Sequence, residues 1–311
     1  MKSKMLEIAG HQFQWGSRTY VMGILNITPD SFSGDGILQA REQVEGLDLD
    51  PSYHDTGPAL QLARYAVESG VDILDVGGES TRPGSAPLSE DQELERVVPV
   101  IHDLHANFPE VLISIDTYKA KVAEEGFKEG AHMLNDVWGL RADPELATLA
   151  ARSKVPVVLM HNRSNPASVE VRSNLGGAYI GAQYENLVED VKRELLDSVG
   201  IAHAAGIPDS AIILDPGIGF GKTVDHNLEL IDRLGELRTL GYPVLLGPSR
   251  KSFIGFTLDL PADQRIEGTG AAIAVGIARG ADIVRVHDVK PMVRITRMTD
   301  ALVRRKGKVP A

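Results

Sequence analysis

Cysteine is absent from the 311 residues, which excludes a disulfide framework, a thiolate nucleophile and a sulfur-ligated metal. No apolar run approaches the roughly 18 residues of a membrane-spanning helix, and the opening MKSKMLEIAG lacks the apolar stretch of a secretory signal. A soluble, cytoplasmic protein is the expectation. Positive charge is in deficit: 32 Lys and Arg stand against 43 Asp and Glu, a formal charge of −11. That balance opposes non-specific nucleic-acid binding, which depends on basic patches that release counterions. The dense basic run Arg304, Arg305, Lys306 and Lys308 reads as a solvated end, so an anionic ligand must be held by a few local cations. Aromatic residues make up 5% of the chain, and Trp15 and Trp138 read as packing residues rather than ligand platforms.

What the chain does have is alternation. Eight short apolar runs rich in Val and Ile occupy residues 21–25, 72–76, 111–115, 132–135, 155–160, 211–214, 243–247 and 282–286. Runs this short and nearly continuous in apolar character are strands buried on both faces. Between them lie amphipathic stretches ending in Gly, as at 59–70, 119–130, 184–206 and 267–280. Strand and helix in turn give a parallel sheet covered by helices, and eight repeats favour closure over an open sheet. The fold class is therefore α/β, a (β/α)8 TIM barrel, with residues 1–311 as one domain because no linker or composition break interrupts them. Residues 5–20 alternate around Gly10 and Gly16 as a short N-terminal hairpin closing the barrel bottom, and residues 37–58 form a polar loop insertion after the first strand.

In a closed parallel barrel the loops after the strands converge at one mouth, where catalytic groups collect. Reading that rim gives Asn26 after the first run, and Asp75 within the second, followed by GGESTRPGS. Asp116 ends the third, Asn135 and Asp136 the fourth, and His161 the fifth. Asp215 in DPGIGFGKT follows the sixth, Ser249, Arg250 and Lys251 the seventh, and Arg285 and His287 close the eighth. One Asp or Asn after a strand is ordinarily a turn former or helix cap. A cap needs no Lys, Arg or His, however, and ionised groups inside apolar strands are costly unless partnered. Carboxylates at Asp75, Asp116 and Asp215, with Asn135, suit a heterocycle edge bearing several N–H donors. Cations at Arg82, Lys251 and Arg285, with His287, suit phosphate or carboxylate.

Neither common nucleotide signature is present. A Walker loop would need Gly where Pro216 stands, and no G-x-G-x-x-G opens a helix after the first strand. His102 and His105 in HDLH lack a zinc-site partner set and read as solvated.

Taken in order, NITPDSFS, DVGGESTRPGS, SIDT, LNDV, LDPGIGFGKT and SRKSFIG resemble the strand ends of the dihydropteroate synthases, a family of pterin-binding barrels. The resemblance spans residues 20–290. It implies the condensation of 6-hydroxymethyl-7,8-dihydropterin pyrophosphate with p-aminobenzoate, giving 7,8-dihydropteroate and pyrophosphate. It places Asp75, Asp116, Asn135, Met160, Asp215 and Lys251 around the pterin. Asn26, Arg82, Arg285 and His287 would hold the pyrophosphate, with Mg2+ bridging it through Asn26. Thr81, Arg82, Pro83, Phe220 and Ser252 would frame p-aminobenzoate. The chemistry would fall to Asp116, Lys251, Arg285, Asn26 and Asp35: pyrophosphate leaves first, and the amine captures a cationic pterin with no protein nucleophile. A homodimer is also implied. The family loop usually reads SFSDGG, whereas SFSGDG here shifts the acid by one position to Asp35, and the 37–58 insertion is longer than in bacterial members.

Two rival readings use the same residues. A methyltransferase taking methyltetrahydrofolate would need the acidic floor but not STRPG, SRK and RVH. A pterin-binding paralogue without turnover would keep the floor and lose the chemistry, and SFSGDG is the feature in its favour.

Overall fold

Short buried runs of Val, Ile and Leu can satisfy their backbone only against one another, and the computed structural model shows how they do so. It describes residues 5–27, 56–80, 87–165, 169–172, 175–180 and 183–304. The order is β1 (Met5–Ile8), β2 (His11–Gln14), β3 (Tyr20–Asn26), α1 (Gly57–Glu68), β4 (Ile73–Gly77), α2 (Glu90–Asn107), β5 (Leu112–Asp116), α3 (Ala120–Lys128), β6 (Met133–Asp136), α4 (Pro144–Ser153) and β7 (Val157–Met160). Then follow β8 (Val169–Arg172), β9 (Gly176–Tyr179), α5 (Leu187–Ala204), β10 (Ile212–Asp215), α6 (Val224–Asp232), α7 (Leu234–Leu237), β11 (Leu245–Leu246), α8 (Ser252–Leu258), α9 (Ile266–Ala278), β12 (Ile283–Val286) and α10 (Val289–Val303).

Eight of these strands form one sheet in the order β10-β7-β6-β5-β4-β3-β12-β11, and every pairing in it is parallel. A parallel bridge between Leu214 and Val244 joins the two ends of that order, with Leu214 N–H donating to the Pro243 carbonyl at 3.0 Å. The expected (β/α)8 barrel is the observed fold. Strand bounds fall within one or two residues of the apolar runs. The largest trims are at residues 155–160 and 243–247, where Pro156, Pro243 and Pro248 supply no ladder N–H.

Side-chain alternation divides the sheet into two cores. Val21, Leu74, Ile113, Leu134, Val157, Ile212, Leu246 and Val284 face the helices in one cluster. Met22, Ile73, Leu112, Met133, Val158, Ile213, Leu245 and Ile283, one from each strand, fill the barrel's lower interior in a second. Leu6, Ile8, Phe13, Trp15 and Tyr20 belong to that second cluster, so the expected N-terminal hairpin, β1 against β2, closes the bottom. Trp15 lies edge-on to Tyr20, with ring centroids 5.7 Å apart, a packing role as expected.

Helix starts follow local chemistry. Ser89 and Gln92 make a reciprocal capping box ahead of α2, with Glu90, Asp91 and Glu93 in its first turn. One boundary needs correction: the polar insertion expected over residues 37–58 stops before Gly57, because Gly57 and Pro58 already belong to α1, where the fixed φ of proline suits a first turn. The rest of that insertion, up to residue 55, lies outside the described residues. The antiparallel pair β8 and β9, inserted between β7 and α5, was not expected from the sequence.

Candidate active site

Inward alternation continues upward from the apolar plug, and there the residue type changes. Two positions beyond Ile73, Met133, Val158, Ile213 and Ile283 stand Asp75, Asn135, Met160, Asp215 and Arg285, and four beyond Leu112 stands Asp116. The pleat therefore points all six into the upper half of the same interior. Arg285 joins two of the acids: its Nε donates to Asp75 Oδ2 at 2.5 Å and its Nη2 to Asp116 Oδ2 at 2.6 Å. Asn135 Nδ2 donates to the same Asp75 oxygen at 3.0 Å. The other Asp75 oxygen, Oδ1, and the neighbouring Ser114 Oγ are buried without a hydrogen-bond partner. Buried acceptors left in that state are costly, and they suit a ligand that brings N–H or O–H donors.

Electrostatics carries the same message. Three buried carboxylates face two cations, and burial pushes the Asp116 carboxyl up to about 7 against the attraction of Arg285. Asp215 is likewise raised by burial, with Lys251 its strongest opposing charge. Burial lowers Lys251 to about 8, opposed by Asp215, while the Arg285 guanidinium, despite its burial, is held charged by Asp75 and Asp116. The acidic floor and the basic side expected at the mouth are not separate regions, since Arg285 is bonded to two of the acids.

Lys251 precedes α8, its Nζ donating to the Ile218 carbonyl and lying 4.3 Å from the centre of the Phe220 ring. Asp215 Oδ1 accepts from Gly217 N–H at 2.6 Å, which turns the DPGIGFGKT loop back towards the mouth. Met160 pairs in register with Asp215. His287 meets Ser249 Oγ with its backbone N–H and its Nδ1, both at 3.1 Å. Asn26 is exposed at the end of β3, and Ser252 opens α8. Asp35, Thr81, Arg82 and Pro83 lie outside the described residues.

Two rim residues prove to be internal. Asp136 accepts from Trp138 N–H at 2.8 Å and Leu140 N–H at 2.5 Å, the turn-forming role weighed for any such Asp, and burial lifts it to about 6. His161 is enclosed: Lys222 Nζ meets its Nδ1 at 2.8 Å, and its Nε2 meets Glu194 Oε2 at 3.1 Å. Burial lowers Lys222 itself well below the ordinary lysine range, and it lowers His161 to about 4. Lys222, 2% exposed, also donates to the carbonyls of Gly217 and Phe220 at 3.0 Å each. Sequence reasoning weighed Lys222 only as part of a failed phosphate loop; an unmatched Lys within an apolar, Gly-rich stretch was the available signal. As expected, His102 and His105 are exposed.

Fold and site together define a (β/α)8-barrel protein that gathers acids, an amide and two cations in the upper part of its interior, where enzymes of this fold carry their active sites. A family model described as pterin binding enzyme matches residues 22–287. The dihydropteroate synthase of Clostridium beijerinckii is 46% identical over 301 residues, 96% of this chain and 100% of that one. Among solved structures, that of dihydropteroate synthase from Clostridium difficile in the presence of pteroic acid superimposes with a TM-score of 0.81 at 44% identity, covering 94% of this chain and 100% of that one. The Yersinia pestis dihydropteroate synthase with a sulfonamide drug gives 0.82 at 38% identity, covering 96% and 98%. The chain belongs to the dihydropteroate synthase family of pterin-binding enzymes.

Proposed function

We propose that the upper chamber binds 6-hydroxymethyl-7,8-dihydropterin pyrophosphate and transfers its methylene carbon to the amine of p-aminobenzoate. The observation that carries this reading is the inward set of Asp75, Asp116, Asn135, Asp215, Lys251 and Arg285 above an apolar plug. The 2-amino-pyrimidinone edge offers N–H groups to Asp116 and Asp215, and its carbonyl oxygen accepts from Lys251. Asp75 Oδ1 and Ser114 Oγ are further acceptors at the chamber's floor. Met160 packs beside the ring. Arg285, held charged by its carboxylates, and His287, braced by Ser249, face the pyrophosphate together with Asn26, and Arg82 is the further anion partner that the family resemblance implies.

As the C–O bond to pyrophosphate lengthens, negative charge grows on the leaving group and positive charge on the pterin. Arg285 stabilises the first and the buried carboxylates the second. The p-aminobenzoate nitrogen then closes on the carbon beside Phe220 and Ser252; the family resemblance would add Thr81, Arg82, Pro83 and Asp35, which lie outside the described residues. Asn26 presents a neutral hard oxygen at the rim, which fits Mg2+, an ion that prefers few protein ligands and phosphate as main partner. Bound there, Mg2+ would neutralise charge on the pyrophosphate.

Pyrophosphate release from the purified protein, measured with and without p-aminobenzoate and Mg2+, tests the reading. Release dependent on both supports it, and tight pterin binding without release favours the non-turnover alternative. Asp116→Ala is expected to abolish pterin binding by calorimetry, whereas Arg82→Ala should raise the p-aminobenzoate KM or cut kcat and spare pterin binding. Unchanged behaviour in both would mean that the chamber is misassigned.

We extend the reading to a homodimer. Its support is an apolar groove lined by Leu228, Ile231, Ile254, Leu258, Ala272 and Val275, in which Leu228, Leu258 and Val275 are 42%, 47% and 44% exposed. Sedimentation equilibrium should give twice the chain mass, and Leu258→Glu should return it to one.

A further inference from the structure

β11 is only two residues long, yet the turn that follows it delivers Lys251. So little strand cannot by itself aim a flexible side chain, and the restraint must come from elsewhere. It comes from Arg250. This residue takes φ +54°, a left-handed conformation that costs a side-chain-bearing residue roughly 1–2 kcal/mol and glycine almost nothing. Its backbone is bonded on both sides of that strained position: the N–H donates to Thr269 Oγ1 at 3.0 Å, and the carbonyl accepts from Arg265 Nη1 at 2.9 Å. Arg265 and Thr269 are themselves buried.

The guanidinium explains why arginine stands where glycine would be easier. Nε donates to Asp288 Oδ2 at 2.9 Å and Nη2 to Oδ1 at 2.5 Å, a two-pronged pairing with a carboxylate whose side chain is 1% exposed. Asp288 follows His287, and Ser249, on the other side of Arg250, meets His287 at both its N–H and its Nδ1. The turns after β11 and β12 are thus joined by two adjacent contacts, Ser249 to His287 and Arg250 to Asp288. Lys251 projects from one turn, while His287 belongs to the other and Arg285 to β12, the strand that leads into it.

We propose that Arg250 is a positioning residue, not an anion ligand: its pairing with Asp288 locks the two turns in register and so sets Lys251 against Arg285 and His287. This rests on the assignment of the chamber as the pterin and pyrophosphate site. A carbonyl oxygen held by Lys251 and a leaving group held by Arg285 and His287 belong to one substrate, so a shift between the turns misplaces the reacting carbon.

Three full-length variants test it: Arg250→Gly, which adopts the left-handed backbone without strain but removes the guanidinium; Asp288→Asn, nearly isosteric; and the double variant. Each single change is expected to lower kcat/KM for the pterin pyrophosphate by about tenfold to a hundredfold, in line with misplacement costs of around an ångström. The double variant should be no worse than either, because one contact is lost in all three. A second readout is the pH dependence of binding of the unphosphorylated dihydropterin. Lys251 faces Asp215, Asp116 and Arg285; once the turn is loose, its alkaline limb should move from about 8 towards the ordinary lysine range. Wild-type behaviour of Arg250→Gly in both measurements, or additive losses, overturns the proposal. Since the binding readout needs no turnover, a wild-type protein that releases no pyrophosphate would count against the proposed reaction and leave this inference to be decided by the pH limb.

Discussion

At the scale of single residues, the chamber's charge states set when it can bind. Asp116 accepts an N–H most strongly when ionised, and its carboxyl is raised to about 7; binding therefore strengthens as pH rises towards 7. Lys251 donates most strongly when protonated, and its ammonium is lowered to about 8; binding weakens above that. Calorimetric titration with a dihydropterin should give a bell with its top between these values, losing about tenfold in affinity per pH unit on the acid side. A flat profile from pH 5 to 9 would remove both groups from the binding step. Gly217 supplies a second prediction. At φ +68°, a Cβ there would sit 1.8 Å from the His161 carbonyl oxygen, so Gly217→Ala should destabilise the protein by about 3 kcal/mol or more, read as a lowered urea midpoint.

Legibility at this scale followed the pleat. Asp75, Asn135, Asp215 and Arg285 were readable because each lies two places beyond an inward apolar residue on a strand already identified. The partnership of Arg285 with Asp75 and Asp116 was not, since 210 and 169 residues of sequence separate those pairs and spacing carries no information about which opposite charges meet across a barrel. Nor was Glu194, which meets the enclosed His161 and also Arg163 only because α5 packs over β7.

Among elements, the N-terminal hairpin is small but well placed. Four-residue strands barely hold together alone, so β1 and β2 depend on what Leu6, Ile8 and Phe13 bury. Phe13 is 3% exposed and packs on Tyr20 with ring centroids 4.5 Å apart. Phe13→Ala should cost about 3–5 kcal/mol by chemical denaturation, and kcat of the surviving folded fraction should be nearly unchanged, because the hairpin lies at the opposite end from the chamber. Its alternation around Gly10 and Gly16 was visible in the sequence. The pair β8 and β9 was not, because VEVR and GGAY are short, partly polar and bordered by SNL. Strand ends were blurred where proline interrupts the ladder, as beside β7 and β11.

On the scale of the whole molecule, the bridge from Leu214 to Val244 makes every strand of the eight-stranded sheet a neighbour of two others. We propose that residues 5–304 unfold as one unit; scanning calorimetry should show a single transition whose calorimetric and van't Hoff enthalpies agree, and two resolved peaks would argue for separate domains. The fold class was the most legible property of the chain. Eight repeats of one pattern reinforce each other, so a one- or two-residue error in any of them leaves the topology intact.

The aromatic stopper under the barrel has a kinetic consequence. A tube sealed at one end has a single doorway, so the molecule that travels deepest must arrive first, and the later arrival stands between it and the exit. Steady-state experiments with both substrates varied should accordingly show compulsory-order addition, with dead-end mimics of the second reactant trapping the first inside.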